Sequence, residues 1–299
     1  MNKQLARELI SAGVHFGHAV SRWNPKMEPY IFGKRGMIHI INVKETLKGL
    51  LIAKKLLIDV VSSGKDAVFV GTKRQAKKPI LEAAGKCGMH YVCERWLGGM
   101  LTNFRTVRSR LQRLEELEEM ESSGQLAAQS KKQGSRLRRQ MRKIKTNLEG
   151  VRKMGRLPGV VVVVDVRNET IALREARKLG IATIGIIDTD SDPDMVDVAI
   201  PANDDSIKAI ELLLTELVDA VAAGKTMFKQ AAGPAASVRG RSRRRALASA
   251  GADKKEQEAK NEQPARSVDE PEKIETGAAV QVQTKETKAT DEEPKNGSA

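Results

Sequence analysis

The chain has 299 residues, a formal net charge of +14, 3% aromatic residues and two cysteines. That length holds one large domain or two ordinary ones. It contains no apolar run of about 18 residues for a membrane span, and too few aromatic rings for a protein that stacks many unpaired bases.

The first ten or so residues read as a short helix, over 3–12. Their start lacks an apolar signal core, so the chain is expected in the cytoplasm, and Cys87 and Cys93 fit a reducing compartment. Residues 13–36 are Gly-rich and too mixed for either period, and 37–42 reads as a strand. An amphipathic helix follows over 43–62, with Leu47, Leu50, Leu51, Leu57, Ile58 and Val61 on one face. Strand 66–70, helix 72–86 and short strand 89–93 come next. Over 101–154 the pattern changes. Phe104, Val107, Leu111 and Leu114, then Leu137, Met141, Ile144, Leu148 and Val151, repeat at heptad spacing on either side of Glu121-Ser-Ser-Gly124. This predicts an antiparallel coiled-coil hairpin inserted into an α/β domain, whose sheet is expected to close without it. Strand 160–164, helix 169–179, strand 182–187, strand 198–200 and helix 204–223 complete the pattern.

Strands alternating with helices, one of them Val160-Val-Val-Val-Val164, predict a parallel sheet covered on both faces. The expected architecture is therefore α/β: a Rossmann-like three-layer domain built from 1–100 and 155–224, with the hairpin 101–154 between its halves. Residues 225–299 are poor in apolar side chains. They are expected to be a disordered tail, first basic through Arg239-Gly-Arg-Ser-Arg-Arg-Arg245 and then acidic.

Charge is segregated. Residues 1–156 carry +19 and residues 157–224 carry −8. A basic front with an acidic back points to a polyanion, and nucleic acid is the commonest one. Enzyme motifs are missing: no Gly-x-Gly-x-x-Gly after the first strand, no phosphate loop with Gly-Lys-Ser/Thr, and no Gly-x-Ser-x-Gly elbow. The turn Gly71-Thr-Lys-Arg-Gln-Ala-Lys-Lys-Pro79 places Lys73, Arg74, Lys77 and Lys78 at a helix start, where free N–H groups favour phosphate. Cys87-x-x-His90-x-x-Cys93 offers three ligands where a structural zinc site takes four, so it reads as core. His18, the acidic loop Asp188–Asp194 and Asp204-Asp205 fall near strand ends and helix starts, which gather at one sheet edge. His18, Asp188 and Asp204, with Asp190 and Asp205 as alternates, form a candidate zinc or magnesium site. Helix capping by Asp204 is the competing account.

Several phrases are long and distinctive. They are Gly13-Val-His-Phe-Gly-His-Ala-Val-Ser-Arg-Trp-Asn-Pro-Lys-Met27, Tyr30-Ile-Phe-Gly-Lys-Arg35, Phe69-Val-Gly-Thr-Lys-Arg74, Glu94-Arg-Trp-Leu-Gly-Gly-Met-Leu-Thr-Asn-Phe104, Asp188-Thr-Asp-Ser-Asp-Pro-Asp194 and Ile200-Pro-Ala-Asn-Asp-Asp205. In these the chain resembles the bacterial small-subunit ribosomal protein S-two family from about residue 13 to residue 223. The resemblance implies a structural constituent of the small ribosomal subunit rather than an enzyme. It implies a Rossmann-like domain with a coiled-coil protrusion, partnered by small-subunit rRNA and neighbouring ribosomal proteins. Among these is the mRNA-binding protein S-one, whose attachment the family supports. No cofactor is required, and neither a membrane nor a small-molecule substrate is expected. The residues in place to hold rRNA are Arg22, Trp23, Lys26, Lys34, Arg35, Lys73, Arg74, Lys77, Arg95, Asn103, Arg105 and Arg108. The tail looks longer than is usual for the family.

Overall fold

A computed structural model describes residues 3–125 and 130–231. The chain divides into two units, Met1–Ser237 and Val238–Ala299, and the described residues belong to the first. Its amino-terminal half contains α1 (Lys3–Ser11), β1 (Phe16–Ala19), β2 (Ile31–Arg35), β3 (Ile38–Ile41), α2 (Val43–Ser62), β4 (Ala67–Val70), α3 (Arg74–Cys87) and β5 (His90–Val92). An inserted helix pair, α4 (Phe104–Ser122) and α5 (Lys131–Leu148), follows. Then come β6 (Val160–Val164), α6 (Thr170–Lys178), β7 (Ala182–Ile187), β8 (Val198–Pro201) and α7 (Ile207–Ala231).

The main sheet is parallel, in the order β5-β4-β6-β7-β8. The valine run is its central strand, and all five side chains are buried. Successive residues of a strand point to opposite faces, so Val160, Val162 and Val164 enter one core while Val161 and Val163 enter another. Buried residues of α2, α3 and α7, among them Leu50, Ile80 and Leu213, fill the first core. Helix and sheet approach closely there because Gly49 has no side chain; a Cβ on it would lie 2.3 Å from the Ala199 carbonyl oxygen.

The second core differs from the sequence expectation. Besides α6 it takes in Trp96, Met100 and Leu101 from the loop after β5. It then runs without a break into Leu111, Leu114, Leu117, Ile144, Leu148, Val151 and Met154. The base of the helix pair therefore belongs to the layer that covers the sheet. Helices α4 and α5 pack on each other through these residues, with Phe104, Val107, Leu137 and Met141 partly buried. The last buried positions of α4, Leu111, Leu114 and Leu117, step by three and three, which departs from the heptad alternation. Glu118 occupies the next heptad position and pairs with Arg152 at 2.8 Å and Lys145 at 3.7 Å.

Other differences are local. The irregular stretch 13–36 contains β1 and β2, which flank β3 in a small antiparallel sheet. Register shifts in both pairings break the period that would mark them. Leu51, assigned to the buried face of α2, is 65% exposed. Helix α7 continues through 225–231, which composition assigns to the tail. Lys225 anchors it by donating to the carbonyls of Cys87 and Gly88 at the end of α3. The remaining tail expectation, including Arg239–Arg245, and the four positions 126–129 lie outside the described residues.

Candidate functional site

Four loops meet at the carboxyl edge of the parallel sheet, following β4, β6, β7 and β8. The amino-terminal segment is drawn onto this edge by backbone bonds. Thr189 accepts from the His18 amide through Oγ1 and from the Asn24 amide through its carbonyl. Asn203 donates its amide to the Val14 carbonyl. Gly17 lets the two segments touch; a Cβ there would lie 2.6 Å from Thr189 Cγ2.

This brings His18 onto the acidic loops. His18 Nδ1 lies 3.0 Å from Asp188 Oδ2, and Nε2 lies 3.2 Å from Asp205 Oδ2. His18, Asp188 and Asp204 each present a ligand atom within 4.8 Å of the others. Both aspartates are 1% exposed. His18 Nδ1 is buried and makes no hydrogen bond, although a carboxylate oxygen is that close. Pairing with Asp188 raises the His18 pKa to about 9 against the effect of burial. Burial, helped by Asp188 and Asp165, pushes Asp204 up to about 7. The group fits a cation: an imidazole nitrogen and two carboxylates converge, and the second imidazole nitrogen is oriented by a third carboxylate. Of the two alternates, Asp205 stays at the rim of the cluster, while Asp190 turns to Arg167 at 2.7 Å.

Lys73 belongs to the same cluster. Its Nζ sits 2.7 Å from Asp204 Oδ1, 2.6 Å from Asp205 Oδ1 and 3.9 Å from Asp165 Oδ2. Burial works to lower its pKa, but the bonds to Asp204 and Asp205 outweigh burial and raise it. Asp165 is the one described non-glycine residue with positive φ, at 68°. Lys73 is thus turned inward, against the sequence expectation of a phosphate contact.

The other candidate cations divide into two groups. Lys26 pairs with Asp192 at 3.0 Å and Asp194 at 2.6 Å, and Lys77 pairs with Glu94 at 2.7 Å. Arg108 donates to the Met154 carbonyl. Arg22, Lys34, Arg35, Arg74, Arg95 and Arg105 are exposed and have no acidic partner among the described residues. Asn103 opens α4 and accepts from Thr106 Oγ1 at 2.7 Å. Trp23 is 36% exposed, with its ring packed on His39.

Two features lie outside the residues singled out from the sequence. Helix α5 carries Lys131, Lys132, Arg136, Arg138, Arg139, Arg142, Lys143 and Lys145 and no acidic residue, and among the described residues only Lys145 has an acidic partner. The basic charge of residues 1–156 includes this segment, but its individual cations were not singled out. The second is Glu175, which is 8% exposed. Its carboxylate accepts from the amides of Gly99, Leu101 and Thr102, from Thr102 Oγ1 and from Trp96 Nε1, at 2.7 to 3.2 Å. The phrase from Glu94 to Phe104 is therefore a loop wound round one buried carboxylate. A glutamate on the apolar face of α6, between Ala172, Leu173 and Ala176, was the sign of it. Cys87, His90 and Cys93 are buried in the core, as their spacing suggested.

The family profile for ribosomal protein S2 matches residues 9–224. The chain belongs to the ribosomal protein S2 family. It is 51% identical over 234 residues to small ribosomal subunit protein uS2 of Rhodopirellula baltica, covering 78% of this chain and 90% of that one. It is 46% identical over 224 residues to uS2 of Geotalea uraniireducens, covering 75% and 88%. It is also 48% identical over 223 residues to uS2c of Guillardia theta, covering 75% and 95%. Members of the ribosomal protein S2 family are structural ribosomal proteins, not enzymes. The matched span takes in the whole main sheet, the helix pair and the His18–Asp188–Asp204 cluster, and ends inside α7. No described helix is long and apolar enough to cross a membrane.

Proposed function

We propose that this chain docks on folded small-subunit rRNA through its free surface cations and helix α5, and supports attachment of the mRNA-binding ribosomal protein S-one. The observation that carries the rRNA reading is the separation of paired from unpaired cations. Arg22, Lys34, Arg35, Arg74, Arg95 and Arg105 keep their charge unspent at the surface, and α5 adds a long basic face. Unpaired Lys and Arg release counterions when they meet phosphates, and this dominates such affinities. The protein-binding half rests on an apolar surface. Phe32 is 79% and Met37 74% exposed, beside Ile38 and Phe16 on the small antiparallel sheet. Exposed apolar patches of this kind mark protein contacts.

His18, Asp188 and Asp204 would hold a zinc or magnesium ion. The imidazole ligand favours zinc, since magnesium takes oxygen ligands. A bound cation would supply positive charge to buried carboxylates and tie the amino-terminal segment to the sheet edge. Elemental analysis of dialysed protein tests this: about one zinc per chain is expected, lost in His18→Ala, and equal content in both would remove His18 as a ligand. For the rRNA reading, chains in which Lys34, Arg35 and Arg105 are changed to Gln should be under-represented on small subunits isolated by sedimentation. Normal occupancy would take these cations out of the contact.

A further inference from the structure

Trp23 and His39 form a small site that the cation pattern does not explain. The two rings lie 5.3 Å apart, centroid to centroid, inclined by 38°. They line a surface cavity of about 220 Å³ together with Glu28, Ile31, Gly33 and Lys34. His39 is 7% exposed, and neither of its ring nitrogens has a hydrogen-bond partner. At least one of them carries a proton when the ring is neutral. Both nitrogens are shut off from solvent, so the ring forms the wall against which Trp23 is seated.

The chain has two tryptophans, and they are used in opposite ways. Trp96 is 6% exposed and its indole N–H is bonded to Glu175. Trp23 is 36% exposed and shares the cavity wall with Lys34, which lies opposite His39 in the β2–β3 pairing. Lys34 has no acidic partner among the described residues, and a Cβ on Gly33 would meet nothing within 4 Å. A partly exposed indole, a free cation at the rim and room beside Gly33 suit a flat, negatively tethered ligand.

We propose that this cavity receives one unpaired base of RNA, stacked on the exposed part of Trp23, with Lys34 against its phosphate. This rests on the rRNA-binding reading and adds a role that surface charge cannot supply, because stacking requires a base free of its helix. A duplex meets the same cations but offers no face to Trp23.

The test uses the full chain, a single-stranded oligoadenylate and a duplex RNA of equal length. Indole fluorescence and affinity are measured at one salt concentration. The single strand should quench the exposed indole and the duplex should not. Trp23→Leu should weaken single-strand binding by about five-fold or more, the equivalent of roughly 1 kcal/mol for one stacked base, and leave duplex binding unchanged. Trp23→Phe, which keeps a ring, should restore part of the loss. That rescue separates stacking from a folding defect in the Leu variant. Equal quenching by both RNAs, or unchanged single-strand affinity in Trp23→Leu, would overturn the stacked base while leaving the charge contacts standing. Failure of the wild-type chain to bind either RNA would overturn the stacked base and the rRNA reading together.

Discussion

Glu175 is a buried charge and Lys73 a partly buried one, and each is held in place by what surrounds it. Glu175 collects five donors from one loop. Burial opposes its charge, but the donated bonds outweigh burial and hold its pKa below the ordinary 4.5. A depressed carboxylate stabilises the fold above its unfolded pKa, and that contribution is lost as pH falls through the folded value. Stability should therefore decline below about pH 4.5. Glu175→Gln should cost about 1–3 kcal/mol at neutral pH, the cost of leaving buried donors unmatched, and should flatten the acid limb. Urea titrations at several pH values read both effects; an unchanged acid limb in the Gln variant would remove Glu175 as its source. Lys73 gives a contrasting case. Lys73→Met takes the ammonium away from buried Asp204, while half-exposed Asp205 keeps His18, and should destabilise by about 1–3 kcal/mol, the cost of leaving a buried group without its partner. Its motif, Gly-Thr-Lys-Arg after a strand, looks like a phosphate site because sequence shows the turn but not the neighbours. Asp204 and Asp205 lie far along the chain, and only the order β4-β6-β7-β8 brings them to Lys73. Asp188 and Asp204 could be brought together from the sequence because strand ends of a parallel sheet share an edge, whereas His18 reaches them from β1 through the Thr189 bond, which strand order does not reveal.

Long elements with a strong period were readable, and short ones with a broken period were not. The central strand announced itself by five consecutive valines, and α2 by its apolar face, with Leu51 the exception. Strands β1 and β2 have four and five residues with exposed faces and bulged pairing, so no alternation survived for a sequence argument to use. The helix pair was visible as an insertion, but its join to the core was not. Periodicity describes one face of one helix and says nothing about what that face meets. The second core crosses from Val161 and Val163 into Leu114 and Leu148 without a gap. Replacing 105–150 by a short linker should therefore bare part of the sheet, lower the thermal midpoint and create surface that binds a hydrophobic dye. A deletion variant as stable as the parent would mean that the sheet face is closed by α6 and the 93–101 loop alone. Leu114→Ala, at a site with no exposure, should cost about 2–5 kcal/mol, as large-to-small changes in closed cores do; urea unfolding measures it.

At the scale of the whole molecule the basic front and acidic back are not two simple surfaces. Part of each charge is spent on the other where the loops of the two halves meet. Lys26 meets Asp192 and Asp194 and Lys73 meets Asp204 and Asp205, while Lys77 meets Glu94 within the front itself. Net charge along the sequence counts these lysines as available to RNA, and the fold withdraws them. Two triple variants separate the cases. Changing the unpaired Lys34, Arg35 and Arg105 to Gln should weaken rRNA binding and reduce the slope of log affinity against log salt by about 2–3, at roughly 0.7–0.9 for each phosphate left without its cation. Changing the paired Lys26, Lys73 and Lys77 to Gln should leave that slope nearly as it was and lower the thermal midpoint instead, because the partners left behind include a buried aspartate. The two variants remove the same formal charge, so a scheme in which only net charge matters predicts equal loss of slope. Equal slopes, measured by filter binding on a folded small-subunit rRNA fragment over a range of salt, would favour that scheme. Unequal slopes would mean that the pairing geometry decides which cations reach the RNA.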